Sequence, residues 1–241
     1  MESMFGYKIL RTLGKGKTGT AYLVQNEDEN LYVLKVMNQD CADYEKQLEI
    51  FRGENYSYQR MSKIGEGVPK LIDFNEEKKY LVKEYIEGVC ASELAAIGYN
   101  NKDGLTDYHF KLIFDMQNRF KEVGIHVDYF PTNFIFTNDD KIYCIDYECY
   151  DYNAEWDFIN WGIYYWLNQE GMKEHLQKGS TEKLNKPGTF KPIDEPFEKT
   201  KAELMNKYLN WCKNVNQFYK KYAWKLSLKT VKWKKYLYTS F

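Results

Sequence analysis

Asp128 and Asn133 lie in the run His126-Val127-Asp128-Tyr129-Phe130-Pro131-Thr132-Asn133, and Asp146 lies near the end of the run IYCIDY, 13 residues after Asn133. A carboxylate held beside a hydroxyl can accept its proton while a bond forms to the oxygen. An amide oxygen and a second carboxylate are hard donors, suited to Mg²⁺ that bridges phosphate groups. Asp128 is therefore the candidate base, and Asn133 and Asp146 are the candidate metal ligands. The spacing has a physical reason: a hairpin of two short strands, NFIFT and KIYCIDY, returns the chain so that both ligands sit at one end of it.

Two features nearer the amino terminus suit the same chemistry. Gly14, Gly16 and Gly19 form a G-x-G-x-x-G turn between two expected strands, where backbone N–H groups can approach phosphate oxygens without an intervening Cβ. No helix follows it, which excludes the dinucleotide fingerprint, and the P-loop sequence is missing. Lys35 lies in VLKVM, 16 residues after Gly19, where alternation places Val33, Lys35 and Met37 on one face. A lysine among apolar neighbours needs a partner. Glu54, 19 residues on, is the first choice, with Glu49 and Glu45 open because the helix register is not fixed by the sequence.

The elements that must position these residues divide the chain in two. YKILRTLG, TAYLVQ and LYVLKVM read as an antiparallel meander, a helix follows to Met61, and LIDFN and YLVKEYI add two strands joined by EEKK. Beyond Gly88, ASELAAI and LTDYHFKLIFDMQNRFKEVG have helical periodicity, with Gly124 as a terminus. EWDFINWGIYYWLNQ reads as one apolar helix, the stretch through KPGTFKPIDEP as a loop, and residues 197–222 as a last helix. The expected class is α+β: an amino-terminal part, residues 1–86, of five antiparallel strands and one helix, and a mainly helical part, residues 87–241.

At 241 residues, 44% hydrophobic and 17% aromatic, the chain can bury a sizeable core. Its five cysteines show no metal spacing, its amino terminus lacks a basic and apolar leader, and it contains no long uncharged apolar stretch. These predict free thiols, no transmembrane segment and a cytoplasmic location. The net charge of −1 hides an asymmetry, since residues 201–241 hold ten lysines and one acid. That basic tail, interleaved with Trp211, Tyr219, Tyr222, Trp224 and Trp233, reads either as an amphipathic helix packed through its aromatics or as a surface for nucleic acid, an anionic membrane or an acidic partner.

Taken in order, these motifs resemble the protein-kinase-like superfamily over residues 7–170. The resemblance implies a two-lobed fold with ATP and Mg²⁺ in the cleft. Gly14, Gly16 and Gly19 would cover the phosphates, Lys35 paired with Glu54 would position them, and Glu84-Tyr85-Ile86 would be the hinge that meets adenine through its backbone. Asp128 resembles the catalytic aspartate, Asn133 the catalytic-loop asparagine, and Asp146 the metal aspartate in a variant D-F-G, here Asp-Tyr-Glu. Val127 replaces the arginine that anchors a phosphorylated activation loop. Phe130 stands where Ser/Thr kinases place a lysine, and ten residues separate Asp146 from Asp157, with no A-P-E beyond. IDYE running into EWDFINWG is similar to the aminoglycoside and choline phosphotransferase branch, in which Asp157 is expected to brace the catalytic loop's backbone. The complete glycine loop is closer to compact bacterial Ser/Thr kinases. The resemblance thus implies transfer to a small-molecule hydroxyl acceptor, with a protein substrate as the alternative and a non-catalytic nucleotide-binding scaffold as the second.

Overall fold

Runs rich in Val, Ile, Leu and Tyr pair into one six-stranded antiparallel sheet. Its strands are β1 (Ser3–Met4), β2 (Tyr7–Lys15), β3 (Gly19–Gln25), β4 (Leu31–Met37), β5 (Leu71–Asn75) and β6 (Tyr80–Glu84), in the order β1-β2-β3-β4-β6-β5. The computed structural model describes residues 3–16, 19–38 and 43–226. All five expected strands are present, and β1 extends the sheet at its edge. The β1–β2 turn places both Phe5 and Gly6 at positive φ, the geometry of a tight hairpin, and Phe5 stacks on Tyr80 with ring centroids 4.2 Å apart.

Pairing register decides which side chains share a face. Lys35 lies opposite Leu81 and Val33 opposite Lys83, so these four point to the same side of the sheet. α1 (Tyr44–Met61) packs there through a stripe of Gln47, Leu48, Phe51, Glu54, Ser57 and Met61, one or two residues per turn. Phe51 of that stripe stacks on Phe74 of β5.

The chain then forms β7 (Val89–Cys90), α2 (Ala91–Ile97), α3 (Asp107–Glu122), β8 (Ile125–Val127), β9 (Phe134–Phe136), β10 (Ile142–Cys144) and β11 (Cys149–Asp151). β9 pairs with both β10 and β7, whereas β11 pairs with β8. Gly88 is required at the entry to β7, because a Cβ there would lie 2.2 Å from the Phe136 carbonyl oxygen. Gly124, at φ 75°, ends α3 as expected. The boundary expected at 86/87 falls between β6 and β7, inside a compact unit of Met1–Glu198; Lys199–Phe241 form a second.

The helix expected over residues 155–169 is instead three pieces. A 3₁₀ turn covers Ala154–Trp156, a π turn Phe158–Gly162, and α4 only Ile163–Leu167, followed by α5 (Gln169–Lys178). Two interactions open the first turns. The Ile159 N–H donates to Gln117 Oε1 at 3.0 Å, and the Gly162 N–H reaches the Asp157 carbonyl at 3.2 Å, a one-residue-wider loop than an α-turn. Gly162 allows this because it packs on Tyr129, whose Cβ would be 2.4 Å from a Cβ at 162.

Phe110, Phe114, Phe134, Phe158 and Trp166, all buried, form the aromatic centre of the part after β7. Trp166 meets Phe134 and Phe158 edge-on at 5.5 and 5.3 Å. The last helix, α6, runs Glu198–Leu226. Residues 227–241, including Trp233, lie outside the described residues, as do Lys17, Thr18 and Cys41. Cys90, Cys144, Cys149 and Cys212 are free, and among the described residues no helix is long and apolar enough to cross a membrane.

Candidate active site

Lys35 and Glu54 meet as predicted. Lys35 Nζ lies 2.7 Å from Glu54 Oε1 and 3.9 Å from Asp146 Oδ1. Glu54 belongs to the buried stripe of α1, while Glu45 and Glu49 face solvent, which resolves the three-way choice. Burial alone would lower the Lys35 pKa, but the charges of Glu54, Asp146 and Glu148 outweigh it and hold the ammonium above its ordinary value. Glu54→Gln should therefore weaken nucleotide binding about tenfold, since hydrogen bonds to charged groups contribute about 1.5–3 kcal/mol, and Glu49→Gln should leave it unchanged. Titration of both variants with a fluorescent nucleotide distinguishes the two glutamates.

The catalytic-loop candidates form one hydrogen-bonded unit. The Phe130 N–H donates to Asp128 Oδ1 at 3.0 Å, and Asn133 Nδ2 donates to Asp128 Oδ2 at 3.1 Å and to its carbonyl at 3.2 Å. These bonds orient the Asp128 carboxylate and leave Asn133 Oδ1 unspent. Asp128 stays open to solvent on one side, yet protein crowds its carboxyl, and this desolvation, with the nearby charges of Glu148 and Asp146, pushes its pKa up to about 6. The Ile145 N–H donates to the Asn133 carbonyl at 2.8 Å, so the catalytic loop and the Asp146 strand are tied together.

The glycines divide by role. A Cβ at Gly19 would sit 2.4 Å from the Val36 carbonyl oxygen, so strand packing demands glycine there. Gly14 faces open space and Gly16 nearly so, with the Gly16 N–H bonded to the Gly19 carbonyl and its own carbonyl held by Asn38 Nδ2. At the hinge, the Glu84 carboxylate accepts the Lys70 N–H at 3.1 Å, and Ile86 is buried.

Asp157 does not brace the catalytic loop. Its carboxylate caps the π turn, accepting the Asn160 N–H at 2.9 Å and the Tyr152 hydroxyl at 3.0 Å. The bracing falls to Trp166, whose Nε1–H donates to the Tyr129 carbonyl at 2.9 Å, and to His126, which accepts the Asn153 N–H at 3.3 Å and is held below its usual pKa by burial. Phe130 packs edge-on against Tyr165 and His175.

Two residues of this site were given no role from the sequence. Glu148 replaces the glycine of D-F-G, and its charge reaches both Asp128 and Lys35. Lys83, buried on β6, donates to the Ile145 carbonyl. The signal for Lys83 was the one that found Lys35, a lysine inside an apolar strand.

Among the described residues no group of three or more His, Cys, Asp or Glu side chains could hold a metal by itself. Asn133 and Asp146 nonetheless fit Mg²⁺, which characteristically takes one or two protein oxygens and completes its shell with water and phosphate.

A family model described as the RIO domain matches residues 45–150, under half of the chain. A serine/threonine-protein kinase D from Synechocystis sp. is 26% identical over 145 residues, covering 56% of this chain and 28% of that protein. The chain thus spans less than a third of that relative. The kinase domain of PknI from Mycobacterium tuberculosis superposes with a TM-score of 0.43 at 19% identity, covering 61% of this chain and 60% of that one. The RIO match and the kinase relative, together with a curled antiparallel sheet, the Lys35–Glu54 pair and the Asp128–Asn133 hydrogen bonds, support a place for this chain in the protein-kinase-like superfamily.

Proposed function

We propose that the chain is an ATP- and Mg²⁺-dependent phosphotransferase whose acceptor is the hydroxyl of a small molecule. The observation that carries the acceptor class is the short return after Asp146. Three residues on, β11 begins and pairs with β8 (Cys149↔Val127, Asp151↔Ile125), and Asp157 already caps the next helical turn. No length remains for a segment that would lay out a peptide.

In this reading Asp128 receives the acceptor hydroxyl and takes its proton as the acceptor oxygen bonds to the γ-phosphorus. The bond from that phosphorus to the β–γ bridging oxygen breaks, and its electron pair leaves with ADP. Lys35, fixed by Glu54, offsets phosphate charge, and Asn133 holds Asp128 in place while presenting Oδ1. Mg²⁺, held by Asn133 and Asp146, would neutralise charge on the β- and γ-phosphates. The chain contributes mainly placement and fixed charge, because the transition state needs little covalent help.

Incubation with γ-labelled ATP and a cell extract, then separation into protein and metabolite fractions, tests the acceptor class. Label in metabolites supports the proposal, and label confined to protein overturns it. The second outcome would favour an atypical serine/threonine protein kinase, the reading to which the named kinase relative and the RIO match point.

A further inference from the structure

Lys83 has no part in the chemistry just described, yet it touches both neighbours of Asp146. Its Nζ donates to the Ile145 carbonyl on one side and lies 4.9 Å over the Tyr147 ring on the other. The Ile145 carbonyl and the Asp146 N–H belong to the same planar peptide group. A donor on that carbonyl therefore fixes the plane from which the Asp146 Cα and side chain project. The preceding peptide is also held, its Ile145 N–H donating to the Asn133 carbonyl at 2.8 Å, and Tyr147 is pinned by its hydroxyl on the Pro69 carbonyl at 2.6 Å.

We propose that Lys83 is a positioning residue: by clamping the Ile145–Asp146 peptide and the Tyr147 ring from β6, it sets the orientation in which Asp146 presents its carboxylate to Mg²⁺. The inference rests on the reading of Asp146 as a metal ligand. Its energetics point the same way. Lys83 is only 8% exposed, so nearly all of it is withdrawn from water. A methionine would fill the same volume without removing a charge from water. The lysine adds a donor on a carbonyl that no methionine can satisfy, and a cation over an aromatic face. Removing groups that orient a metal ligand characteristically lowers metal affinity or activity by about 10–100-fold.

The test compares binding of a fluorescent ADP analogue in EDTA and across a Mg²⁺ titration, for the wild type, Lys83→Met, Lys83→Arg and Asp146→Asn. Lys83→Met should need about tenfold more Mg²⁺ to reach its tight-binding state, while its affinity in EDTA stays unchanged. Lys83→Arg, which keeps a donor and a charge, should recover part of the loss and supplies the same comparison if Lys83→Met does not fold. An unaltered Mg²⁺ midpoint in these variants, or an equal loss with and without Mg²⁺, overturns the proposal. If Asp146→Asn itself leaves the Mg²⁺ dependence intact, the metal reading falls and the role of Lys83 falls with it. A shift in Asp146→Asn without one in Lys83→Met removes Lys83 alone.

Discussion

Asp128→Asn should lower turnover about a thousandfold, within the range ascribed to a positioned general base, and leave nucleotide affinity within about twofold. The amide is nearly isosteric and can still accept the Phe130 N–H at one end; at the other it loses the bond from Asn133 Nδ2, which keeps its bond to the Asp128 carbonyl. It cannot take the acceptor's proton. The wild type adds a pH signature. Because the Asp128 pKa stands at about 6, the active carboxylate predominates above that pH and is lost below it, and turnover should fall tenfold per unit on the acid side. That acid limb should disappear in Asp128→Asn. Turnover of the variant equal to wild type, or a wild-type profile flat from pH 5 to 8, would show that another group takes the proton.

Trp166→Ala should cost about 4 kcal/mol of stability, the usual scale for emptying a fully buried aromatic site, and lower Tm by roughly 10 °C for a unit of this size. The side chain is fully buried among Phe110, Phe134 and Phe158, so a cavity would remain. Trp166→Phe isolates the second role of the residue. It keeps most of the packing but removes the Nε1–H that holds the Tyr129 carbonyl, next to Asp128. A modest stability loss with a disproportionate fall in turnover is the expected result, read by thermal unfolding and initial rates on the same samples. If turnover simply tracks the folded fraction, the indole does not brace the catalytic loop.

The candidate site residues Lys35, Asp128, Asn133 and Asp146 were legible from order and spacing, because they lie in short runs with recognisable local pairing. The five main strands followed from alternation. What the sequence hid was tertiary in origin. The Glu54 assignment needed the helix register, although the spacing of Phe51, Glu54 and Met61 already marks one stripe. The single helix over 155–169 failed because periodicity cannot register a side chain from α3, Gln117, capturing a backbone N–H. Asp157 was misread for a related reason: from sequence alone, a capping acid and a bracing acid look the same. Three-residue strands such as β8 and β11 carry too few residues for alternation to declare itself, so the ribbon they form appears only in three dimensions.

The Lys35–Glu54 pair is closed, at 2.7 Å. In a kinase-like protein whose helix must first swing inward, only a fraction of molecules can bind productively, and the apparent dissociation constant rises by the inverse of that fraction. Where the pair stays closed in the free protein, that fraction is close to one. Nucleotide association should then be a single concentration-dependent step with no slow isomerisation before it, and the abundance of acceptor, rather than a switch in the protein's shape, would govern how often the cleft turns over.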